Sequence, residues 1–156
     1  MTVIRQEDFV QSIADALQYI SYYHPPDFIQ AMDQAYEKEQ NPAAKDALAQ
    51  ILINSRLCAE GHRPVCQDTG IVTVFLKIGM AVIWQTKSSV SIADMVNEGV
   101  RLAYRNPDNI LRASIVLDPM GQRINTQDNT PAVIHMELVP GSTVSVDIAA
   151  KGGGSE

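Results

Sequence analysis

Residues 63–70, Arg-Pro-Val-Cys-Gln-Asp-Thr-Gly, separate two parts of the sequence that have different hydrophobic periods. Before this segment, apolar residues recur at three- and four-residue steps, which predicts amphipathic helices at 6–21, 26–38 and 43–60. After it, residues 71–77 are β-branched and aromatic, which predicts a strand. Pro64 excludes a helix running through the segment, and Asp68-Thr69-Gly70 is typical of a turn. We therefore expect a stiff loop that joins a helical part to a strand.

The rest of the chain predicts a sheet that one helix interrupts. A short strand at 80–84 should follow the first one tightly, and a helix at 91–105 should begin with Ser91 as its N-cap. Further strands are predicted at 113–117, 132–139 and 143–149, the last two forming a hairpin through Pro140-Gly141. Gly61 is expected to cap the third helix. The predicted fold class is α+β, with N-terminal helices followed by a mixed or antiparallel sheet with an intervening helix; residues 1–156 form one domain, helical over 1–62 and α/β over 63–156.

The charge balance restricts the partners of such a domain. The 12 Lys and Arg residues are outnumbered by 18 Asp and Glu, giving a net charge of -6. No basic patch is visible, so nucleic acid and anionic membranes are not expected partners. The sequence has no apolar run of roughly 20 residues and no secretory signal segment at its start, so we expect a cytoplasmic location without membrane attachment.

The loop also contains a concentration of reactive side chains. Cys66 is a candidate metal ligand because a thiolate can be stabilised by turn amides and by Arg63. Gln67 and Asp68 add a hydrogen-bond donor and an acceptor next to the sulfur. The structural alternatives are a buried thiol, an Asx-type turn and a strand cap. Cys58 is interpreted as an ordinary helix thiol, and two cysteines alone cannot form a tetrahedral thiolate site.

Two other features have the chemistry to hold an anion. Successive N–H groups in the glycine-rich segment Lys151-Gly152-Gly153-Gly154-Ser155 can form an anion-binding nest, although a flexible linker is the simpler alternative. The order of its residues differs from a Walker A loop, where the lysine follows the last glycine. Arg105 and Arg112 each provide a planar fork that can bind a carboxylate through two hydrogen bonds.

Taken together, four motifs resemble those of the iron–sulfur-dependent, class I fumarate hydratases and the related tartrate dehydratase α subunits. They are residues 63–70, 109–114 (Asn-Ile-Leu-Arg-Ala-Ser), 125–132 (Asn-Thr-Gln-Asp-Asn-Thr-Pro-Ala) and 150–156 (Ala-Lys-Gly-Gly-Gly-Ser-Glu). The resemblance directly covers about the last three fifths of the chain, with the four motifs in the family's order.

The resemblance implies a role for each motif. Cys66 matches the first of three cysteines that hold a 4Fe–4S cluster whose fourth iron is open to substrate. Gln67 and Asp68 match residues that contact the dicarboxylate, and Asp68 is the expected catalytic group. Arg112, rather than Arg105, matches the arginine that binds a substrate carboxylate. Lys151, Gly152, Gly153 and Gly154 match the loop that lines the same cavity.

The resemblance further implies that the catalytic machinery extends beyond this sequence. The other two cluster cysteines and further catalytic groups lie in later segments or in a separate β chain. We therefore expect the N-terminal part of a catalytic domain that hydrates fumarate to (S)-malate, its partners being the remaining C-terminal domain or a β subunit and, in the full-length enzyme, a second copy. A dehydratase for L-tartrate or for mesaconate and citramalate is an alternative, as is a metal-free scaffold or interaction domain of the same fold.

Overall fold

The computed structural model describes residues 2–152, which form two compact units. The first unit comprises the residues up to Gln18 and those from Gln67 onward, and the second comprises Tyr19–Cys66. Four helices and seven strands are present in the described part, in the order β1(Val3–Arg5), α1(Gln6–Tyr22), α2(Pro26–Lys38), α3(Pro42–Gly61), β2(Ile71–Gly79), β3(Ile83–Gln85), α4(Ile92–Tyr104), β4(Val116–Leu117), β5(Ile124–Asn125), β6(Val133–Val139) and β7(Val144–Lys151). The α+β fold class with N-terminal helices and a mixed sheet is confirmed.

Strand β2 is the centre of the main sheet in the first unit. It pairs in parallel with β6 on one side and antiparallel with β7 on the other, in the order β6-β2-β7. Alternate residues of β2 are buried, as expected for a strand with one face in a core; they are Val72, Val74, Leu76 and Ile78. The predicted hairpin between the last two strands is wrong, because β2 lies between β6 and β7 and separates them.

The apolar faces of α1 and α4 complete the core of this unit. Ile13 of α1 and Val96 and Val100 of α4 are fully buried. The two helices meet at Gly99, where a Cβ atom would stand 2.6 Å from Cβ of Ile13. Ser91 caps α4 as predicted, and Asp94 completes a capping box by accepting the backbone N–H of Ser91.

The edge strand β6 leaves part of its core-facing side exposed. Met136 and Leu138 are in register with the buried residues Leu76 and Ile78, yet they are 47% and 67% exposed. The apolar surface of the core therefore continues outward onto β6. Within the described residues this side of the sheet is incompletely covered.

Two small sheets differ from the sequence-based expectation. The second predicted strand is shorter, at Ile83–Gln85, and pairs in parallel with β1, which the helical interpretation of residues 1–62 had not anticipated. The strand predicted at 113–117 is limited to Val116–Leu117 and pairs with β5, which was also not predicted. These strands have two or three residues, too few for a recognisable alternation.

The second unit is built around the helices α2 and α3. Asn41 caps α3 by accepting hydrogen bonds from the N–H groups of Ala43 and Ala44. The third helix ends at Gly61, and His62, rather than Gly61, adopts the left-handed conformation with φ of 48°. The predicted glycine cap is therefore displaced by one residue. No helix in the described part of the chain is long and apolar enough to cross a membrane.

Candidate functional site

Asp68 forms the turn that leads into β2. Its Oδ1 accepts a hydrogen bond from the backbone N–H of Gly70 at 3.1 Å, which is the Asx-type turn considered as the structural alternative. Gly70 has a φ of 74°, a conformation that glycine adopts without strain. The turn fixes the direction of the Asp68 side chain immediately before the first residue of β2.

The Lys151-Gly152 pair lies next to this turn. Lys151 pairs with Ile71 at the end of the antiparallel ladder between β2 and β7. A Cβ atom at Gly70 would clash with the carbonyl of Lys151, and one at Gly152 would stand 3.1 Å from Oδ2 of Asp68. Two motifs that are about 80 residues apart in sequence are thus brought together. Gly153 and Gly154, the other predicted members of the loop, lie outside the described residues.

Arg112 approaches the same turn from a different segment. The Thr69 hydroxyl donates a hydrogen bond to the backbone carbonyl of Arg112, which fixes residues 112–116 beside the turn. The two segments enclose an open pocket of about 540 Å³. It is lined by Gln67, Asp68, Gly70, Ile71, Arg112, Ser114, Ile115 and Val116.

The pocket contains the donor and acceptor set that a small anion requires. Among the described residues that line it, Arg112 is the only cation and Asp68 the only acid. Gln67 adds an amide that can both donate and accept. The structure therefore brings Gln67, Asp68 and Arg112 to one pocket, and places Gly152 against Asp68.

Two buried residues that were not predicted from the sequence hold this arrangement together. Tyr104, at the end of α4, is 2% exposed and donates its hydroxyl to the carbonyl of Thr69 at 2.8 Å. Burial raises the pKa of the Tyr104 hydroxyl, and the nearby side chains of Thr69 and Asn129 offset part of that effect. Asn129 donates to the carbonyl of Gly70 at 2.8 Å and accepts from the backbone N–H of Ser114 at 2.7 Å.

Arg105 belongs to a different cluster. Its guanidinium stands 3.8 Å from Asp128, which also accepts a hydrogen bond from Nε of Arg101 at 3.0 Å. Burial raises the pKa of Asp128, but hydrogen bonds from Thr130 and from Arg101 outweigh it, so that the pKa is lowered overall. Arg105 is not among the residues that line the pocket. The assignment of a substrate carboxylate to Arg112 rather than to Arg105 stays a prediction.

The two cysteines of the second unit have different surroundings. Cys66 is exposed. The preceding residue, Val65, makes two hydrogen bonds: its N–H donates to the carbonyl of Ser21 at 2.8 Å, and its carbonyl accepts from the Asn54 side chain at 3.2 Å. Cys58 is buried, with its thiol directed at the side chain of Asn54 and the carbonyl of Pro64. Within residues 2–152, no group of three His, Cys, Asp or Glu side chains is arranged to hold a metal. The exposed thiol of Cys66 suits one ligand of a site whose other ligands come from elsewhere.

A family model described as "Fumarate hydratase (Fumerase)" matches residues 10–156. The chain belongs to the fumarate hydratase (fumerase) family. The match includes the Asp68 turn and the Arg112 segment, which line the pocket, and Gly152, which lies against Asp68. The family membership expected from the four motifs is confirmed.

Individual relatives include both kinds of enzyme in this family. The chain is 31% identical over 148 residues to the "Putative L(+)-tartrate dehydratase subunit alpha" of Methanocaldococcus jannaschii, covering 92% of this chain and 50% of the relative. It is 32% identical to the anaerobic class I fumarate hydratase of Escherichia coli K12, covering 77% of this chain and 21% of that protein. Fumarate hydratase 2 of Leishmania major is 29% identical over 87% of this chain and 23% of its own length. The chain thus spans half the length or less of these relatives.

Proposed function

We propose that the chain forms part of the active site of a hydro-lyase that adds water to fumarate and gives (S)-malate. The observation that supports this best is the pocket in which Gln67, Asp68 and Arg112 meet, with Gly152 next to Asp68. These are the residues that the motifs of the fumarate hydratase family assign to substrate. A chain with a net charge of -6 needs a local cation to hold a dianion, and Arg112 supplies it.

Each side chain has a definite task in this proposal. The guanidinium of Arg112 binds one substrate carboxylate through two parallel hydrogen bonds and thereby fixes the orientation of the molecule. The amide of Gln67 donates a hydrogen bond to the same dianion. Asp68, held by its turn, accepts a hydrogen bond from the hydroxyl group of malate and is the catalytic group of this chain. Lys151 and the glycines 152–154 are proposed to bind the same dianion.

Cys66 is proposed as one of three cysteine ligands of a 4Fe–4S cluster. When bound, such a cluster supplies a Lewis acid that assists the loss or addition of hydroxide at C2, while a proton is exchanged at C3. The donor chemistry fits, because Cys66 is an exposed thiol on a loop that is fixed by the hydrogen bonds of Val65. The remaining ligands are proposed to come from a C-terminal domain or a β subunit, which agrees with the name of the M. jannaschii relative as a subunit alpha.

Dehydration of L-tartrate is a second candidate reaction. It is favoured by the M. jannaschii relative, whose match extends over 92% of this chain. Fumarate and tartrate present the same two carboxylates, so the pocket residues would serve both, and the choice depends on contacts to the tartrate hydroxyl groups.

The test uses the complete enzyme, meaning this chain together with the polypeptide that supplies the other cluster ligands. It is reconstituted anaerobically with iron and sulfide, and the thiolate-to-iron absorbance and the hydration of fumarate are measured, with L-tartrate assayed in parallel. Cys66→Ala should abolish both the intact cluster and turnover. Cys58→Ala is the matched control, and it should leave both in place because Cys58 is buried against Asn54 and Pro64.

Three results would overturn parts of this proposal. An unchanged cluster and unchanged activity in Cys66→Ala would favour a scaffold in which Cys66 is a structural thiol. Turnover of L-tartrate without hydration of fumarate would replace the substrate. Robust fumarate hydration by the 156-residue chain alone would contradict the need for ligands from another polypeptide.

A further inference from the structure

The buried side-chain amide of Asn129 is hydrogen-bonded to both walls of the pocket. Asn129 is 0% exposed, so it presents no surface to the pocket. Its Nδ2 donates to the carbonyl of Gly70 at 2.8 Å. Its Oδ1 accepts from the N–H groups of Ser114 at 2.7 Å and Ile115 at 3.2 Å. Gly70 belongs to the wall that contains Asp68, and Ser114 and Ile115 belong to the wall that contains Arg112.

We infer that Asn129 is a positioning residue that sets the separation between Asp68 and Arg112, and hence the length of dicarboxylate that the pocket accepts. This inference rests on the proposed function for its substrate, and on the hydrogen bonds of Asn129 for its geometry. An unpaired carbonyl or N–H group is costly in a buried setting, so the three bonds hold the walls at one spacing. A dianion bound between Arg112 and the Asp68 turn must match that spacing.

The chemistry of the amide is required at this position. Asparagine supplies one donor to the Gly70 wall and one acceptor to the Ser114 wall, whereas an ionised aspartate supplies acceptors only. The backbone adds a second restriction, because Asn129 has a φ of 61°, which Asn, Asp and Gly tolerate better than other residues. Asparagine is thus suited both to the turn and to the bridge.

The two walls have one further direct link, which does not replace Asn129. The Thr69 hydroxyl bonds to the carbonyl of Arg112, but it makes a single bond at the edge of the turn. Tyr104 donates to the carbonyl of Thr69, which belongs to the Asp68 side. Asn129 is the residue whose side chain contacts the backbone of both walls through three bonds.

The substitution Asn129→Asp tests the bond of Asn129 to Gly70 separately from its bonds to Ser114 and Ile115, which together form the bridge between the walls. The aspartate keeps the acceptor for Ser114 and Ile115, but it cannot donate to Gly70 and faces that carbonyl with negative charge. Asn125→Asp is the matched control. Asn125 donates a hydrogen bond to the carbonyl of Ala113 at 2.9 Å, next to Ser114, and within the described residues its side chain makes no hydrogen bond to Gly70. Asn129→Gly is a second variant that keeps the positive φ and removes both contacts.

NMR of the 156-residue chain tests the bridge without substrate, through the carbonyl carbon resonance of Gly70 and the hydrogen exchange of the Ser114 and Ile115 amides. In Asn129→Asp the Gly70 carbonyl resonance should shift because this carbonyl loses its donor, while the Ser114 and Ile115 amides stay protected. In Asn129→Gly the Gly70 carbonyl resonance should shift as well, and the two amides should exchange about tenfold faster, the effect expected for one net hydrogen bond each. In Asn125→Asp the Gly70 carbonyl resonance should be unchanged. An unchanged Gly70 carbonyl resonance in both Asn129 variants would overturn the inference.

Kinetics of the complete enzyme test the consequence for substrate. Asn129→Asp should raise the KM for fumarate by about tenfold, the equivalent of one weakened substrate contact, with the cluster absorbance retained. An unchanged KM despite a shifted Gly70 carbonyl resonance would show a purely structural role and overturn the inference. If the wild-type enzyme turns over no dicarboxylate, the proposed function fails and the substrate role of Asn129 fails with it. The NMR result then decides separately whether Asn129 couples the two walls.

Discussion

Gly152 lies against the carboxylate of Asp68, so closely that a methyl group at Gly152 would stand 3.1 Å from Oδ2. This contact is tighter than ordinary van der Waals separation, and the Asp68 side chain would have to shift by a few tenths of an ångström. The glycine therefore leaves room for Asp68 in its present position. The residue that follows β7 and the turn before β2 are in contact at this point.

Gly152→Ala should disturb substrate binding more than folding. The displaced carboxylate is at the flexible end of a side chain, so the thermal midpoint of the chain should change little. In the complete enzyme, the KM for fumarate should rise several-fold because Asp68 no longer points into the pocket as before. Steady-state kinetics and thermal unfolding measure the two effects, and an unchanged KM would contradict the proposed contact between Asp68 and substrate.

Gly70→Ala should destabilise the first unit strongly. The added methyl group would clash with the carbonyl of Lys151, and alanine would be strained at a φ of 74°. We expect a loss of at least about 1–3 kcal/mol in the free energy of unfolding. Gly61→Ala is the matched control. Gly61 is the last residue of α3, and its added methyl group would stand 3.7 Å from the Arg63 side chain, so alanine should be neutral or stabilising by up to about 1 kcal/mol. Urea unfolding compares the two; equal effects would refute the assigned role of Gly70.

Tyr104→Phe should lower stability by removing the buried hydroxyl that bonds to Thr69. The hydroxyl of Tyr104 is the donor to the carbonyl of Thr69, in a buried position. Its removal should cost about 1–2 kcal/mol of unfolding free energy. Tyr19→Phe removes a hydroxyl from a ring that is exposed on α1 and should change stability by less than about 0.5 kcal/mol. A Tyr104 variant as stable as the Tyr19 control would show that the Thr69 carbonyl is satisfied in another way.

The pH dependence of stability should reflect Asp128. Its pKa is lowered in the folded state, so the unfolded chain binds the proton first as the pH falls. The stabilisation is therefore complete above the unfolded pKa of about 3.9 and is lost as the pH falls through the lower folded value. Asp128→Asn should cost about 1–2 kcal/mol at neutral pH by weakening the bond from Arg101, and the difference from wild type should shrink in acid. Denaturant unfolding of the two proteins between pH 2 and 6 measures this difference. If the free energy of unfolding changed with pH in the same way in both, Asp128 would not contribute to the pH dependence.

The helices were predictable because their sequence signals are local. The period of the apolar residues and the N-cap Ser91 depend on neighbours within one or two turns, and the bounds of α2 agree residue for residue. The C-cap was displaced by one residue, since His62 adopts the left-handed conformation after Gly61. Leu102 continues the apolar spacing of α4 but is 44% exposed, whereas Tyr104 is buried and donates a hydrogen bond to Thr69.

The pairing of strands and the buried polar bridge depend on the tertiary structure and could not be predicted locally. A short Pro140-Gly141 connection favours a hairpin, but β2 pairs with both β6 and β7 and therefore lies between them. The family motifs identified Asp68 and Arg112, which line the pocket. Asn129 lies in one of those motifs, and its only local signal was the preference of asparagine for positive φ, which does not indicate its partners.

Arg112→Lys should weaken substrate binding without affecting the fold. The bond from Thr69 reaches the backbone carbonyl of Arg112, so it remains when the side chain is changed. Lysine keeps the positive charge but loses the two-pronged geometry, and we expect the KM for fumarate in the complete enzyme to rise about tenfold. Arg112→Met removes the charge as well and should raise it by about 100-fold or more. Arg105→Lys is the control, since Arg105 is half-exposed beside Asp128, and its KM should stay within about twofold of wild type. A larger effect from Arg105 than from Arg112 would assign the substrate carboxylate to the Asp128 cluster and contradict the pocket described above.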